Sequence, residues 1–280
     1  MSHGPQGGEI YEVYALRYAR MPRRRQDNFM GGDPHDAPMP MDFFVWLLRS
    51  PTRCILVDTG FNAKTALARQ REFLRCPIEG LAALSVRAED ITDVIITHLH
   101  YDHAGNLDKL PNARFHIQDA EVDFATGRCM CHGPLRHAYS VDDIVELIRK
   151  VYDERVVFHD GDGEVAEGIR LLRIGGHTKG LQSVQVATAR GNVVLASDAS
   201  HYYENMERNR PFPIVYNVAD MLQGYVRLHA AAASADHIIP GHDPRVLEIY
   251  PPLSEAQPDI VQLHLAPMGP VQDEMGDGQR

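Results

Sequence analysis

Residues 97–106 read THLHYDHAGN, directly after the apolar run DVII at 93–96. The run has the β-branched content of a buried strand, and behind it three histidines and an aspartate fall within positions 98–103. Side chains two apart on an extended segment share a face, so His98 and His100 can meet one cation. The turn that follows lets Asp102 and His103 address a neighbouring position. So many lone pairs at one strand exit read as half of a metal site. Three further donors end strand-like runs elsewhere: His177 in RIGGHTKG (173–180), Asp198 in VVLASDAS (193–200) and His242 in HIIPGHDP (237–244). A single zinc takes about three or four protein ligands, so seven donors suit two ions better than one.

Around these blocks the pattern alternates strands with helices. EIYEVYALRYA (9–19) alternates as a strand, and FFVWLLR (43–49) with RCILVDTG (53–60) forms a hairpin over an SPT turn. NAKTALARQREFL (62–74) has helical spacing, PIEGLAALSV suggests a helix entered through Pro77, and DAEVDFATG a helix capped by Asp119. SVDDIVELIRKVY and VADMLQGYVRLHAAAAS are longer helices, and ARFHIQ, VVFHD, IRLLRIGG, LQSVQVAT and NVVLASD are strands. Strands with helices in both halves predict two mixed sheets packed face to face with helices outside, a four-layer α/β sandwich. Composition shifts nowhere sharply, which predicts one domain over 1–280. Residues 20–42, rich in Pro, Met, Gly and Asp, read as a long loop able to act as a lid, and 267–280 as a mobile tail.

Composition narrows the partners. The chain has 280 residues, 44% of them hydrophobic, enough for a large core. A formal charge of -10 with dispersed Arg and Lys argues against a nucleic-acid track; the RRR run at 23–25 reads as solvated surface, with steering of an anionic substrate as its rival. No apolar run approaches the ~20 residues of a membrane helix, and the N-terminus lacks a secretion signal, so a cytoplasmic protein is expected. Four cysteines build no disulfide framework, and the spacing of Cys129, Cys131 and His132 in GRCMCHG does not fit a zinc ribbon. His116, His159, His229, His237 and His264 read as ordinary core or surface histidines.

The blocks resemble the metallo-β-lactamase fold superfamily. THLHYDH is similar to its histidine motif, GGHTKG to its next ligand loop, SDAS to its bridging aspartate, PGHD to its last histidine and VDTG (57–60) to its first-hairpin signature; together they span 43–245. The resemblance implies an αββα sandwich. It also implies that His98, His100 and His177 hold one metal, Asp102, His103 and His242 a second, with Asp198 bridging and Asp58 orienting a ligand histidine. Two zinc ions are implied, with Fe, Mn or Co as alternatives. An aspartate at the bridging position sets the chain apart from the true β-lactamases, and its length and block spacing look most similar to the N-acyl homoserine lactonase group.

That group commonly carries a tyrosine three residues after the bridging aspartate, where this chain has His201, followed by Tyr202 and Tyr203. The resemblance thus implies a binuclear hydrolase that opens a neutral or weakly anionic lactone, an N-acyl homoserine lactone among the candidates. Hydroxide held by the ions would attack, with Asp102, Asp198 and His201 or Tyr202 taking part. Rival activities on the same fold are glyoxalase II-type thioester hydrolysis and a mono-iron, persulfide dioxygenase-like oxidation. Phe29, Met30 and Phe212 are expected as apolar pocket walls, and the termini are compatible with a homodimer.

Overall fold

The computed structural model describes residues 8–269 and 271. Two sheets form its centre. The first runs, in spatial order, Pro252–Ser254, Gln257–Gln262, Glu12–Met21, Met41–Arg49, Cys54–Val57, Asp93–Ile95, Arg114–Gln118 and Val156–His159, with Glu72–Phe73 added to Glu12–Met21. The second runs Ile238–Pro240, Gly191–Ser197, Gln182–Thr188, Ile169–Arg173 and Gly163–Ala166.

The strand Met41–Arg49 shows why the sheets stack. Phe44, Trp46 and Leu48 enter the core shared with Val184, Val186 and Leu195 of the second sheet, while Phe43, Val45 and Leu47 enter the core beneath the helices on the other side. A strand covered on both faces has no solvent side, so it reads as a continuous apolar run. Burial of each such large side chain contributes about 1.5–3 kcal/mol. Helix Val141–Tyr152 sends Leu147 into the outer core of the first sheet, and helix Val218–Ala231 lays Met221, Tyr225 and Leu228 on the second. Four layers result, as expected.

Several local expectations fail for identifiable reasons. The helix predicted over 62–74 stops at Ala68, after Asn62 caps its start by accepting from Thr65 N. Gln70 takes a left-handed φ of 56°, and Glu72–Phe73 pairs with Arg20 and Ala19 as an edge strand. Asp119 is not a cap; it lies in the first turn of Asp119–Thr126, with Gln118 at the cap position. Strands Gly163–Ala166, Pro252–Ser254 and Gln257–Gln262 carry no apolar run long enough to announce them.

Residues 20–42 are strapped down. Asn28 and Phe29 are buried, Arg24 bridges to Pro38, and Arg25 pairs with Asp33 and Glu204. Of the tail, residues 270 and 272–280 lie outside the described residues, while Val271 is buried and its carbonyl accepts from Arg245 at 2.9 Å.

Candidate metal centre

The short strand Asp93–Ile95 runs parallel to both neighbours, Cys54–Val57 and Arg114–Gln118, and its C-terminal exit carries the histidine loop. In the second sheet, Gly191–Ser197 and Ile238–Pro240 are parallel, and Ile169–Arg173 points the same way across the antiparallel strand between. The exits of all three therefore reach one rim, bringing His177, Asp198 and His242 opposite the loop.

Asp198 lies at the centre. Its Oδ1 is 3.0 Å from His242 Nε2 and 3.3 Å from His103 Nε2; its Oδ2 is 3.2 Å from His177 Nε2 and 3.8 Å from His98 Nε2. Asp102 Oδ2 lies 3.8 Å from His103 Nε2 and 3.9 Å from His242 Nε2. Donor atoms of His98, His100, His177 and Asp198 all fall within 4.8 Å of one another, and so do those of Asp102, His103 and His242. Asp198, His201 and His242 form a third such group.

The outer ring nitrogens decide what faces inward. His177 Nδ1 donates to Ile214 O at 2.6 Å, His242 Nδ1 to Asp42 O at 2.8 Å and His103 Nδ1 to Asp58 Oδ2 at 2.7 Å. With Nδ1 so occupied, each ring turns its Nε2 toward Asp198, and His177 Nε2 also lies 2.9 Å from His100 Nδ1. His98 Nε2, His103 Nε2 and Asp198 Oδ1 are buried without a hydrogen-bond partner. Such a knot of buried, unpartnered polar atoms is costly on its own, and its imidazole and carboxylate donor set fits divalent cations. Burial pushes His98 and His100 well below the ordinary histidine value, which keeps them neutral. Burial would raise Asp198, but the His242, His103 and His201 rings hold it well below the usual carboxylate range.

Two buried carboxylates stand behind the loop. Asp58, in a left-handed turn (φ 61°), also accepts from Thr97 N at 2.7 Å and Thr97 Oγ1 at 2.8 Å. Glu121, which the sequence did not single out, accepts from Leu99 N and Gly180 N, both at 3.0 Å, and from the Tyr139 hydroxyl at 3.1 Å. It thereby ties the histidine loop to the loop that carries His177. Gly180 permits this approach, since a Cβ there would meet Glu121 N at 2.2 Å.

A family model described as the metallo-β-lactamase superfamily matches residues 44–242. The chain belongs to that superfamily. Among curated metallo-β-lactamase relatives, an N-acyl homoserine lactonase from a Bacillus species is 31% identical over 190 residues, 61% of this chain and 70% of the relative. A probable metallo-hydrolase of Mycobacterium tuberculosis is 25% identical over 248 residues, covering 78% and 76%. An N-acyl homoserine lactone hydrolase solved with the product N-hexanoyl-L-homoserine at its catalytic metal centre superposes with a TM-score of 0.72 at 23% identity, over 86% of this chain and 96% of that one. A dizinc quorum-quenching lactonase in complex with a product gives 0.66 at 18%, over 85% and 89%. At these identities the structures speak for the fold.

Within this metallo-β-lactamase frame the remaining candidates separate. A cleft that reaches the donors is lined by Met21, Met41, Phe43 and Ile214, by His201 and by other polar side chains, several of the donors among them. His201 Nε2 faces Asp198 Oδ2 at 3.0 Å, and its ring stacks on Phe212 with centroids 3.4 Å apart. Burial pushes His201 down to about 3, leaving a neutral ring. Tyr202 points elsewhere: its hydroxyl donates to Pro40 O at 3.2 Å, away from the donors. The expected walls are likewise corrected. Phe29 is buried under the Arg25 and Arg210 guanidiniums, Met30 is exposed on the surface, and Phe212 backs His201 and His177 without lining the cleft. His116, outside the cluster, faces Asp93 at 2.9 Å and stacks on His159.

No described helix is long and apolar enough to cross a membrane.

Proposed function

We propose that this chain is a binuclear metal-dependent lactonase. His98, His100 and His177 would hold one ion, Asp102, His103 and His242 the other, and Asp198, whose two oxygens face different histidines, would serve both. One observation carries the reading: buried His98 Nε2, His103 Nε2 and Asp198 Oδ1 converge with no partner between them. When bound, two divalent ions supply Lewis acidity toward an ester carbonyl and toward the water that attacks it.

The chain's own groups do the rest. Asp58, Ile214 O and Asp42 O hold the Nδ1 atoms of His103, His177 and His242, so each Nε2 is already aimed inward and would offer its lone pair to a bound cation. A proton on His201 Nε2 would face Asp198 and the cleft. That N–H would donate to the carbonyl or to the departing ring oxygen. As water adds to the carbonyl carbon, the ring C–O bond breaks, and the freed oxygen takes a proton to give a hydroxy acid. Met21, Met41, Phe43 and Ile214 would cover the acyl portion and exclude bulk water. Lactonase relatives at about 30% identity support cyclic esters over thioesters.

Zinc-loaded protein assayed on N-acyl homoserine lactones, simple γ-lactones and thioesters, with elemental analysis of the same sample, tests the reading. Two ions per chain and a lactone kcat/KM at least about tenfold above the thioester values are expected. A single iron with oxygen uptake, or preference for thioesters, would replace it.

A further inference from the structure

Three arginines that line the cleft are not used by the chemistry above. Arg23, Arg69 and Arg71 line it together, all half-buried. Arg69 lies with its guanidinium carbon 3.8 Å from the ring centre of Tyr101, and Arg71 with its own at 5.8 Å. Arg71 Nε donates to the Tyr101 hydroxyl at 3.0 Å. Tyr101 sits between His100 and Asp102 in the chain, so both cations border the donor cluster.

Their hydrogen-bond partners are neutral. Arg23 donates to Asp27 O, Arg69 to Tyr139 O and Arg71 to Arg69 O, besides the Tyr101 hydroxyl. Among the described residues, none of the three has a carboxylate oxygen within the 4.0 Å of an ion pair. Acids are not scarce: the chain has 38 against 28 basic residues, and Arg24 and Arg25, next to Arg23, are paired with Asp36, Asp33 and Glu204. Asp102 and Asp198 share the cleft lining and Asp143 feels the charge of Arg69, but none of them pairs with the three arginines, whose forks are left open to an anion that enters the cleft.

We propose that Arg23, Arg69 and Arg71 read a carboxylate on the part of the substrate remote from the scissile ester, so that the preferred lactone is anionic. This rests on the lactonase reading. A planar guanidinium fork matches a carboxylate in two parallel hydrogen bonds, and the stacking of Arg69 on Tyr101 holds one such fork in place. The apolar wall of Met21, Met41, Phe43 and Ile214 then covers a short linker between ring and charge.

The test compares N-succinyl homoserine lactone, which ends in a carboxylate, with N-succinamoyl homoserine lactone, the same chain ending in a carboxamide. Zinc-loaded wild type is expected to favour the carboxylate at least about tenfold in kcat/KM at low salt, with the ratio shrinking as salt rises. The ratio should fall toward one in Arg69→Gln/Arg71→Gln; Arg23→Gln, on a separate segment, should lower it severalfold and serves if the double variant does not fold. A wild-type ratio near or below one overturns the inference while leaving the lactonase reading standing. Calorimetric titration with the two ring-opened products reads the same preference without turnover. If neither lactone is hydrolysed, the lactonase reading fails, and equal or absent binding of the two products overturns the carboxylate site.

Discussion

The two sheets supply the donor cluster in different ways. From the first come four donors in one loop, with carboxylates behind them: Asp58 holds the His103 ring and Glu121 holds the backbone at Leu99. From the second come His177, Asp198 and His242, each from a separate strand exit. Two of these are steadied by carbonyls of distant segments, Ile214 O and Asp42 O. Asp198 is packed directly against Gly241, where a Cβ would lie 2.8 Å from its Oδ1. The loop side is tuned by side chains and can be adjusted by a single substitution. The strand-exit side is set by backbone paths and is sensitive to displacement.

The largest expected effect is on the one residue shared by both sides. Asp198→Ala removes the carboxylate that faces His103, His242, His177 and His98. Loss of one ion's electrophilic contribution, several kcal/mol, corresponds to a fall on the order of a thousandfold in kcat/KM with metal content reduced. Near wild-type turnover would remove Asp198 from its central role.

Gly241→Ala tests the backbone-set side. The new methyl would also lie 2.8 Å from Ser197 O, so the PGHD loop must move and Asp198 with it. A misplacement of about 1 Å costs on the order of a hundredfold in kcat, read together with metal content by elemental analysis. Asp58→Asn tests the other side. An amide nitrogen facing His103 Nδ1 would reverse the ring's tautomer and put its proton on the inward Nε2. Metal affinity should fall about 10–100-fold, measured by chelator competition. If Gly241→Ala is the milder of the two, the contrast between the sides is wrong.

How much of this was legible before the structure depended on where the information lies along the chain. THLHYDH could be read because its donors are local and their alternation fixes their faces. His177, Asp198 and His242 could be read because each ends an apolar run. Glu121 could not: an acid in DAEVDFATG looks like a solvated helix face, and only the loops packing over that helix bury it. Arg69 and Arg71 were hidden inside NAKTALARQREFL, whose helical spacing gives way at Gln70 to an edge strand recruited by Glu12–Met21. The polar strand Gln257–Gln262 was missed for the same reason, since pairing with Tyr14, Ala15 and Leu16 makes it a strand, not its own composition.

The adjacent pair His201 and Tyr202 shows the same limit at the scale of one residue, and supplies the two smallest expected effects. Both follow the central aspartate and both carry a donor, so the sequence offered either one for the substrate. The backbone after Asp198 turns them apart, His201 into the cluster and Tyr202 toward the strapped segment at Pro40. His201→Phe removes the inward N–H while keeping a ring to stack on Phe212. A drop of about tenfold in kcat is expected, the worth of one hydrogen bond, with both ions retained; loss of an ion would move His201 among the ligands, as its grouping with Asp198 and His242 allows. Tyr202→Phe removes only the hydroxyl that donates to Pro40 O and Met39 O. It should cost about 1 kcal/mol of stability or less in thermal melts and leave the kcat ratio to wild type close to one. A larger kinetic effect in Tyr202→Phe than in His201→Phe would mean that the segment at 39–40 moves during turnover and releases the hydroxyl into the cleft.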